Sequence, residues 1–556
     1  MSGHSAKDVF TFIVGGKAGK GVRKAGAVAA KLFASMGRKV FHMDDYGSLI
    51  KGGHNFSVVS SATRKITSHY MKADVVVAPD KRSYDMHKEH LADSGILVYN
   101  SDAIKEVEGL GVHLTTEAKK YPNPDLRIGV GAVAILAASV GCEKDCLKKL
   151  IDQEYPRDIE NNIAYAETIY DMVKPQIGGK FRLENGDKER PIFTGNEAIA
   201  LGAAAGGLDV YFGYPMTPSS AVLHYLAAHS EELGLTAVHP ENEIAVINMA
   251  IGATFAGARA MVGSSGGGFA LMEEAFSLAG MVEAPVLCYL GSRPGPSTGV
   301  PTYTSQADLN FALYQGHGEF PRIVASPGSM EEAFYLTAEM LHLLWRFQTP
   351  GILLTEKHLA ESRMTVDVDI SKAKWPEPNM HGQGEYKRYL DTENGVSPLL
   401  FPPAKELIKW NSYEHDELGI TTEDPDTIAK MQDKRQKKQK AIVEHMKTMH
   451  TINVFGEKGP VIFTYGSTTL SVLEALKAGG IDATVVQPIY LEPLPVWELE
   501  KYKEGEVIVV EQSCSGQFAS LLKEKAGIEA REIIKKYDGR PFDPVELADK
   551  IREEMK

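Results

Sequence analysis

Apolar positions along this chain alternate repeatedly between two periods. Val9-Phe10-Thr11-Phe12-Ile13-Val14 is a β-rich run, and the stretch VRKAGAVAAKLFASMG after Gly21 has its apolar residues at helical spacing. Lys39–Met43 (KVFHM) and Asp74–Ala78 (DVVVA) read as further strands. Strands alternating with helices predict a parallel sheet covered by helices. This first α/β domain is assigned to residues 1–178. The alternation resumes near Pro191, with a helix at Gly195–Ala205, a strand at Asp209–Tyr214, and helices from Pro218 and from Glu243. Strands at Ala284–Leu290 and Gly351–Thr355 complete a second domain, 179–370. Residues 371–456 are rich in Pro, Gly and charge and read as a connecting region with one charged helix around Thr427–Met449. A third α/β domain, 457–556, has strands PVIFTYG, ATVVQP and EVIVVEQ and helices at Thr469–Ala478 and Ser515–Lys525.

Composition narrows the class. The chain has 556 residues, 43% of them hydrophobic, which suits several separate globular cores. The longest uncharged apolar stretch, Ile128–Cys142, is shorter than the about 20 residues a bilayer crossing needs. Its Gly and Ala content predicts a tightly packed buried helix. The opening MSGHSAKDVF carries no signal-peptide pattern, and a cytoplasmic location is the default expectation. The four cysteines, Cys142, Cys146, Cys288 and Cys514, form no CxxC and are scattered, so no iron–sulfur cluster is expected on this chain. A net charge of −13 argues against general nucleic-acid binding. The basic run KRQKKQK, Lys434–Lys440, is expected to be a solvated helix face. His54, His239, His317 and His415 are isolated in sequence and predict no metal site.

Chemistry is concentrated in turns at strand ends. GGKAGKG, Gly15–Gly21, falls short of a GxxxxGK[ST] phosphate loop and has no hydroxyl for magnesium. Its free N–H groups suit an anion, or its glycines simply permit the turn. In Tyr214-Pro215-Met216-Thr217-Pro218-Ser219-Ser220 a strand delivers a helix, with Thr217 expected as the N-cap and Pro218 as the first helical residue. Such an N-terminus at the carboxyl end of a parallel strand suits a carboxylate, and equally an ordinary capped helix. Glu243, in Glu241-Asn242-Glu243, opens a helix rich in small residues, where a carboxylate is either an exposed cap or a buried group in need of a partner. Ser264-Ser265-Gly266-Gly267-Gly268 permits a close backbone approach to a ligand, or is a plain loop. Arg293, in GSRPGPSTG, presents a group able to bind a carboxylate through two parallel hydrogen bonds.

Taken together, these motifs resemble the 2-oxoacid:ferredoxin oxidoreductase family, in the form of a fused γ–α subunit. The matching segments are GNEAIALGAAAGG (Gly195–Gly207), YPMTPSS, PENEIAVINMAIGATFAGARAM, SSGGGFALMEE and RPGPSTGVPTYTSQADL (Arg293–Leu309), followed by GHGEFPRIV (Gly316–Val324), EHDELG (Glu414–Gly419) and VVEQSCSGQ (Val509–Gln517). LIKGGHNFS (Leu49–Ser57) extends the likeness to the γ domain, although GGKAGKG replaces that family's GxGGQG turn.

The resemblance implies three α/β domains: a γ-type domain, a thiamine diphosphate pyrimidine-binding domain and a transketolase C-terminal-like domain. It implies oxidative decarboxylation of a 2-oxoacid, 2-oxoglutarate first among the candidates, to acyl-CoA and CO2 with ferredoxin reduced, or the reverse. Pyruvate and branched-chain 2-oxoacids remain alternatives. By position, Glu243 matches the family residue that hydrogen-bonds a nitrogen of the cofactor pyrimidine, with Tyr214 and Pro215 beside the cofactor. Thr217 and Arg293 match the residues that hold the substrate. The family's GDG motif is absent from this sequence. The resemblance therefore implies a β-type partner carrying the diphosphate and Mg2+ site and a [4Fe–4S] cluster, with coenzyme A as co-substrate and a hetero-oligomer such as (αβ)2. No metal is expected on this chain. A scaffold subunit that has lost its chemistry, and a self-contained transketolase-like enzyme, are the readings from other classes.

Overall fold

The computed structural model describes residues 8–48 and 53–555, so the Leu49–Gly52 part of LIKGGHNFS lies outside the described residues. Two compact units emerge. One comprises 8–193 with 362–367 and 543–545, the other 194–361, 368–542 and 546–555. Among the described residues the strands form an eight-, a seven- and a five-stranded sheet, an α/β architecture throughout.

The first unit is built on the eight-stranded sheet. Its order is Leu110–Val112, Leu91–Asn100, Ala73–Ala78, Val9–Lys17, His54–Ala62, Lys39–Tyr46, Arg363–Thr365, Ile192–Thr194. The expected parallel sheet is corrected to a mixed one, parallel on one side of Val9–Lys17 and antiparallel on the other. His54–Ala62 lies antiparallel to both Val9–Lys17 and Lys39–Tyr46, and its serines disguise it as loop. Phe56, Val58 and Val59 are buried, and so are Ser57, Ser60 and Ser61, the hydroxyls finding partners such as the bond between Thr11 and Ser60 at 2.9 Å. The glycine turn is internally closed: Lys17 N–H donates to Asp80, Ala18 N–H to Gly53, and Lys20 pairs with Asp125. Beyond it the Val22–Ser35 helix packs its Val, Ala and Leu face on the sheet. Of the apolar stretch Ile128–Cys142, the part up to Ser139 lies in the helix Pro124–Ser139, which is buried along nearly its whole length, as its Gly and Ala content predicts. No helix among the described residues is long and apolar enough to cross a membrane.

In the second unit the seven-stranded sheet has the order Tyr490–Glu492, Ile323–Ala325, Gly351–Glu356, Leu287–Ser292, Ala260–Ser264, Val210–Gly213, Thr236–Val238. All neighbours are parallel except Tyr490–Glu492, which runs against Ile323–Ala325. The helices Gly195–Ala205 and Met330–Phe347 meet closely, because Gly202 lies where a side-chain carbon would stand 2.2 Å from the Phe334 carbonyl oxygen. The five-stranded sheet has the order Ile452–Phe455, Thr484–Pro488, Val461–Phe463, Val507–Glu511, Ala530–Lys535. Phe463, Val486 and Val509 share one apolar cluster with Val262, Leu290 and Ile352. The two sheets of this unit therefore have a common core. Polar bonds join them as well. Gln306 accepts from Gln512 N–H and Thr468 Oγ1, both at 2.9 Å, and donates to the Tyr465 carbonyl. Glu356, at the end of its strand, accepts from Ser467 N–H at 2.7 Å.

The expected solvated face at Lys434–Lys440 is overturned. In the Pro425–Met446 helix, Lys434, Arg435 and Lys438 are buried. Lys434 and Lys438 reach the buried Glu283 at 2.7 and 2.6 Å, and Arg435 pairs with Glu414. Burial pushes the Glu283 carboxyl up, but Lys434, Lys438 and Arg388 outweigh it and hold that group well below the carboxylate range. Charge content alone cannot reveal this, since the partner lies about 150 residues upstream, at a separation of 151 from Lys434.

Candidate active site

Neighbouring parallel strands release their chains at the same edge of a sheet, and ligands bind outside those carboxyl ends. Val210–Gly213, Ala260–Ser264 and Leu287–Ser292 are consecutive neighbours, with Gly213 level with Gly263 and Ser264 level with Leu290. The three loops that follow begin at Tyr214, Ser265 and Arg293. A cleft of about 460 Å3 is lined by Met216 from the first, Gly266, Gly267 and Ala270 from the second, and Arg293 and Ser297 from the third, with Asp308 and Phe311 closing it.

The first loop departs from its expected form. The helix begins at Ser220, not Pro218, and Ser219 takes the N-cap position. Met216 causes the delay: its carbonyl accepts from Ser219 Oγ and Ser220 N–H, making a turn before the helix. Thr217 is thus displaced from the cap, and its carbonyl accepts from Arg293 Nη1 at 2.8 Å. These two residues are directly joined. Burial draws the Arg293 guanidinium down from its ordinary value while Asp308 opposes the shift. Asp308 accepts from Ser292 Oγ at 2.8 Å, and burial raises its carboxyl. Sequence reasoning gave Asp308 no role. It stands in the TSQADL segment, but nothing in the residue string marks that carboxylate as buried.

Glu243 is the first residue of the Glu243–Phe255 helix, behind an Asn242 cap that accepts from Ala245 N–H at 3.0 Å. It is only 4% exposed, so the exposed-cap alternative fails. Its Oε1 is buried without a hydrogen-bond partner among the described residues. The triple glycine explains how the carboxyl fits. A carbon on Gly268 would stand 2.4 Å from Glu243 Oε1 and 2.1 Å from Ser264 Oγ. Ser264 Oγ in turn lies 3.9 Å from the Met216 sulfur, which links the Glu243 neighbourhood to the cleft wall. Tyr214 and Pro215 are more exposed and do not line the cleft, and the Tyr214 ring lies 5.7 Å from that of His239. An unpartnered buried carboxyl beside a glycine-walled cleft fits a ligand that offers a hydrogen-bonding nitrogen.

Comparison with known proteins gives a family for this arrangement. The family model described as pyruvate flavodoxin/ferredoxin oxidoreductase, thiamine diP-bdg, matches residues 201–451, and that described as pyruvate ferredoxin/flavodoxin oxidoreductase matches 11–172. A 2-oxoacid:ferredoxin oxidoreductase subunit alpha from a Sulfolobus species is 30% identical, over 98% of this chain and 96% of the relative. The chain belongs to the 2-oxoacid:ferredoxin oxidoreductase family. A second member, 2-oxoacid:ferredoxin oxidoreductase 2, subunit alpha, from Aeropyrum pernix, is 31% identical over 98% of this chain and 97% of the relative. Among solved structures of the family, 2-oxoglutarate:ferredoxin oxidoreductase from Magnetococcus marinus, with 2-oxoglutarate, coenzyme A and succinyl-CoA bound, superimposes with a TM-score of 0.91. It is 28% identical and covers 99% of this chain and all of the other, 100%. Relatives in this family are named as subunits, so this chain is one subunit of a multi-subunit oxidoreductase with a thiamine diphosphate-binding region.

Proposed function

We propose that this chain supplies the pyrimidine end of a thiamine diphosphate site in an enzyme that oxidatively decarboxylates a 2-oxoacid, 2-oxoglutarate first among the candidates. The products would be acyl-CoA, CO2 and reduced ferredoxin, and the reaction would be open to reversal. The orphaned Oε1 of Glu243 carries this reading. The likeness to a structure holding 2-oxoglutarate and succinyl-CoA supports the choice of acid. In this reading residues 1–178 are the γ-type domain, 179–370 the pyrimidine-binding domain, 371–456 the connection and 457–556 the transketolase C-terminal-like domain.

Thiamine diphosphate, when bound, would supply the nucleophilic and electron-accepting chemistry that decarboxylation of a 2-oxoacid needs. Glu243, whose Oε1 has no hydrogen-bond partner among the described residues, would be the group that hydrogen-bonds a pyrimidine nitrogen. Arg293, anchored through Nη1 by the Thr217 carbonyl, is the carboxylate-binding group at the cleft. Thr217 fixes that guanidinium and offers its own hydroxyl to the substrate, and Tyr214 and Pro215 flank the cofactor's approach. Mg2+, the diphosphate and a [4Fe–4S] cluster would be held by a β-type subunit, and coenzyme A and ferredoxin would complete the reaction in a hetero-oligomer such as (αβ)2.

The test is viologen reduction by the reconstituted complex with a panel of 2-oxoacids, with and without coenzyme A. CoA-dependent reduction is expected, highest with 2-oxoglutarate, and Glu243→Gln should lower it by about 100-fold or more. No reduction with any acid would end the enzymatic reading. Full activity in Glu243→Gln would favour a scaffold role for this chain.

A further inference from the structure

VVEQSCSGQ, Val509–Gln517, runs from the strand Val507–Glu511 of the five-stranded sheet into the helix Gln517–Ala526, and the functional reading leaves it without a task. The start of that helix is tightly held. Glu511, buried at the end of its strand, accepts from Phe518 N–H at 3.1 Å, from Ala519 N–H at 3.0 Å and from the Ser513 hydroxyl. Ser513 Oγ in turn accepts from Gln517 N–H at 3.1 Å. The Gln517 side chain therefore extends from a fixed backbone.

Both polar atoms of that side chain meet one short segment. Oε1 accepts from Asn310 N–H at 2.9 Å, and Nε2 donates to the Ala307 carbonyl at 2.8 Å. Between these two contacts lies Asp308, which lines the cleft together with Phe311, whereas Gln517 does not. Asp308 is confined from two further sides. Its Oδ2 accepts at 2.8 Å from the hydroxyl of Ser292, the residue directly ahead of Arg293. A carbon on Gly266 would stand 2.9 Å from Oδ2 and 3.1 Å from Oδ1, so the carboxyl has no room to move that way. The helix that follows, Leu309–Leu313, has five residues and is too short to hold its own place. Groups at a site keep their geometry only when the residues behind them are locked by bonds of their own, and here Gln517 provides the lock.

We propose that Gln517 is a positioning residue for substrate binding: by clamping Ala307 and Asn310 it sets the wall formed by Asp308 and Phe311 and keeps Asp308 on Ser292, beside Arg293. The inference rests on the reading of Arg293 as the carboxylate-binding group. It gives the five-stranded sheet a part in holding the 2-oxoacid through a residue that stays outside the cleft. A displaced wall weakens binding in the ground state and the transition state alike, so its signature is a rise in KM larger than any fall in kcat.

Gln517→Met keeps the length of the side chain and removes both amide bonds. In the reconstituted complex, viologen reduction with the preferred 2-oxoacid of the panel should show KM raised about 5-fold, with kcat lowered less. Ser292→Ala, which removes the other restraint on Asp308, should raise KM about 10-fold. The double variant should fall short of the product of the two, because both changes act on the same carboxyl. Hydrogen exchange in peptides spanning 302–313 should quicken in Gln517→Met, while the strand Val210–Gly213 stays as protected as in wild type. A wild-type KM in Gln517→Met, or factors that multiply in the double variant, overturns the proposal. A fall in kcat at constant KM does so too, since it marks a loss of folded complex and not a displaced wall. If the wild-type complex reduces no viologen with any acid, the functional reading is what fails, and the exchange measurement still tests the clamp: unchanged exchange in 302–313 overturns it.

Discussion

A buried polar atom left without a partner costs about 1–3 kcal/mol, and Glu243 Oε1 has none among the described residues. The carboxyl is tolerated because Gly268 withdraws from it. Gly268→Ala would place a methyl carbon 2.4 Å from that oxygen and 2.1 Å from Ser264 Oγ, and the carboxyl would have to move. Displacement of a positioning group by about 1 Å lowers turnover by about 100-fold. We expect that loss in kcat for the reconstituted complex, together with the loss of about 1–3 kcal/mol of stability that overpacking a buried site brings. Unchanged kcat would show that the carboxyl position is immaterial. Glu356 gives a second prediction at this scale. Burial raises its carboxyl from 4.5 to about 7, and the Ser467 bond only partly offsets the rise. The folded chain then binds more protons than the unfolded one between those values, so stability falls as pH rises from 4.5 to about 7 and stays lowered above it. Glu356→Gln keeps an acceptor for Ser467 and removes the buried charge. Its melting temperature relative to wild type should climb across that window, and a difference flat with pH would refute the assignment.

At the scale of elements, the Pro425–Met446 helix owes its position to ion pairs in a low-polarity setting. Removing one partner of a buried pair costs about 3–5 kcal/mol, because the other charge stays behind uncompensated. Glu283→Gln leaves the Lys434 and Lys438 ammonium groups facing a neutral amide. Chemical denaturation should show a loss of that size. Lys437→Ala, on the same helix but paired with Asp391 nearer the surface, should cost less than about 1 kcal/mol. Equal losses would mean that the buried cluster contributes nothing special. This helix also shows what the residue string conceals. Its existence and its approximate bounds were legible from composition and period, while its buried charged face was not, since that depends on a partner elsewhere in the chain. The strand His54–Ala62 was missed for a related reason: its serines pack inside, where hydroxyl pairing replaces apolar contact. The parallel strands Val210–Gly213 and Leu287–Ser292 were legible because strands covered on both faces read as apolar runs. The loops after them were recognised as chemically loaded, but the Met216 turn that moves Thr217 off the helix cap was invisible, since it rests on backbone geometry.

For the whole molecule, the reading that another polypeptide grips the diphosphate has a direct consequence for binding. The isolated chain should bind thiamine diphosphate weakly and without dependence on Mg2+, and the assembled complex tightly and with it. Calorimetric titration of both checks this, and tight Mg2+-dependent binding by the chain alone would restore the self-contained transketolase-like alternative. The second unit carries a consequence of its own, through the short strand Tyr490–Glu492, which leaves the far end of the chain to complete the seven-stranded sheet. A gene divided after residue 456 would strip Ile323–Ala325 of this neighbour and expose a row of unsatisfied backbone groups, a template for pairing with stray molecules. Dissecting this protein into pieces is therefore a matter of co-producing complementary fragments, not of shortening the reading frame.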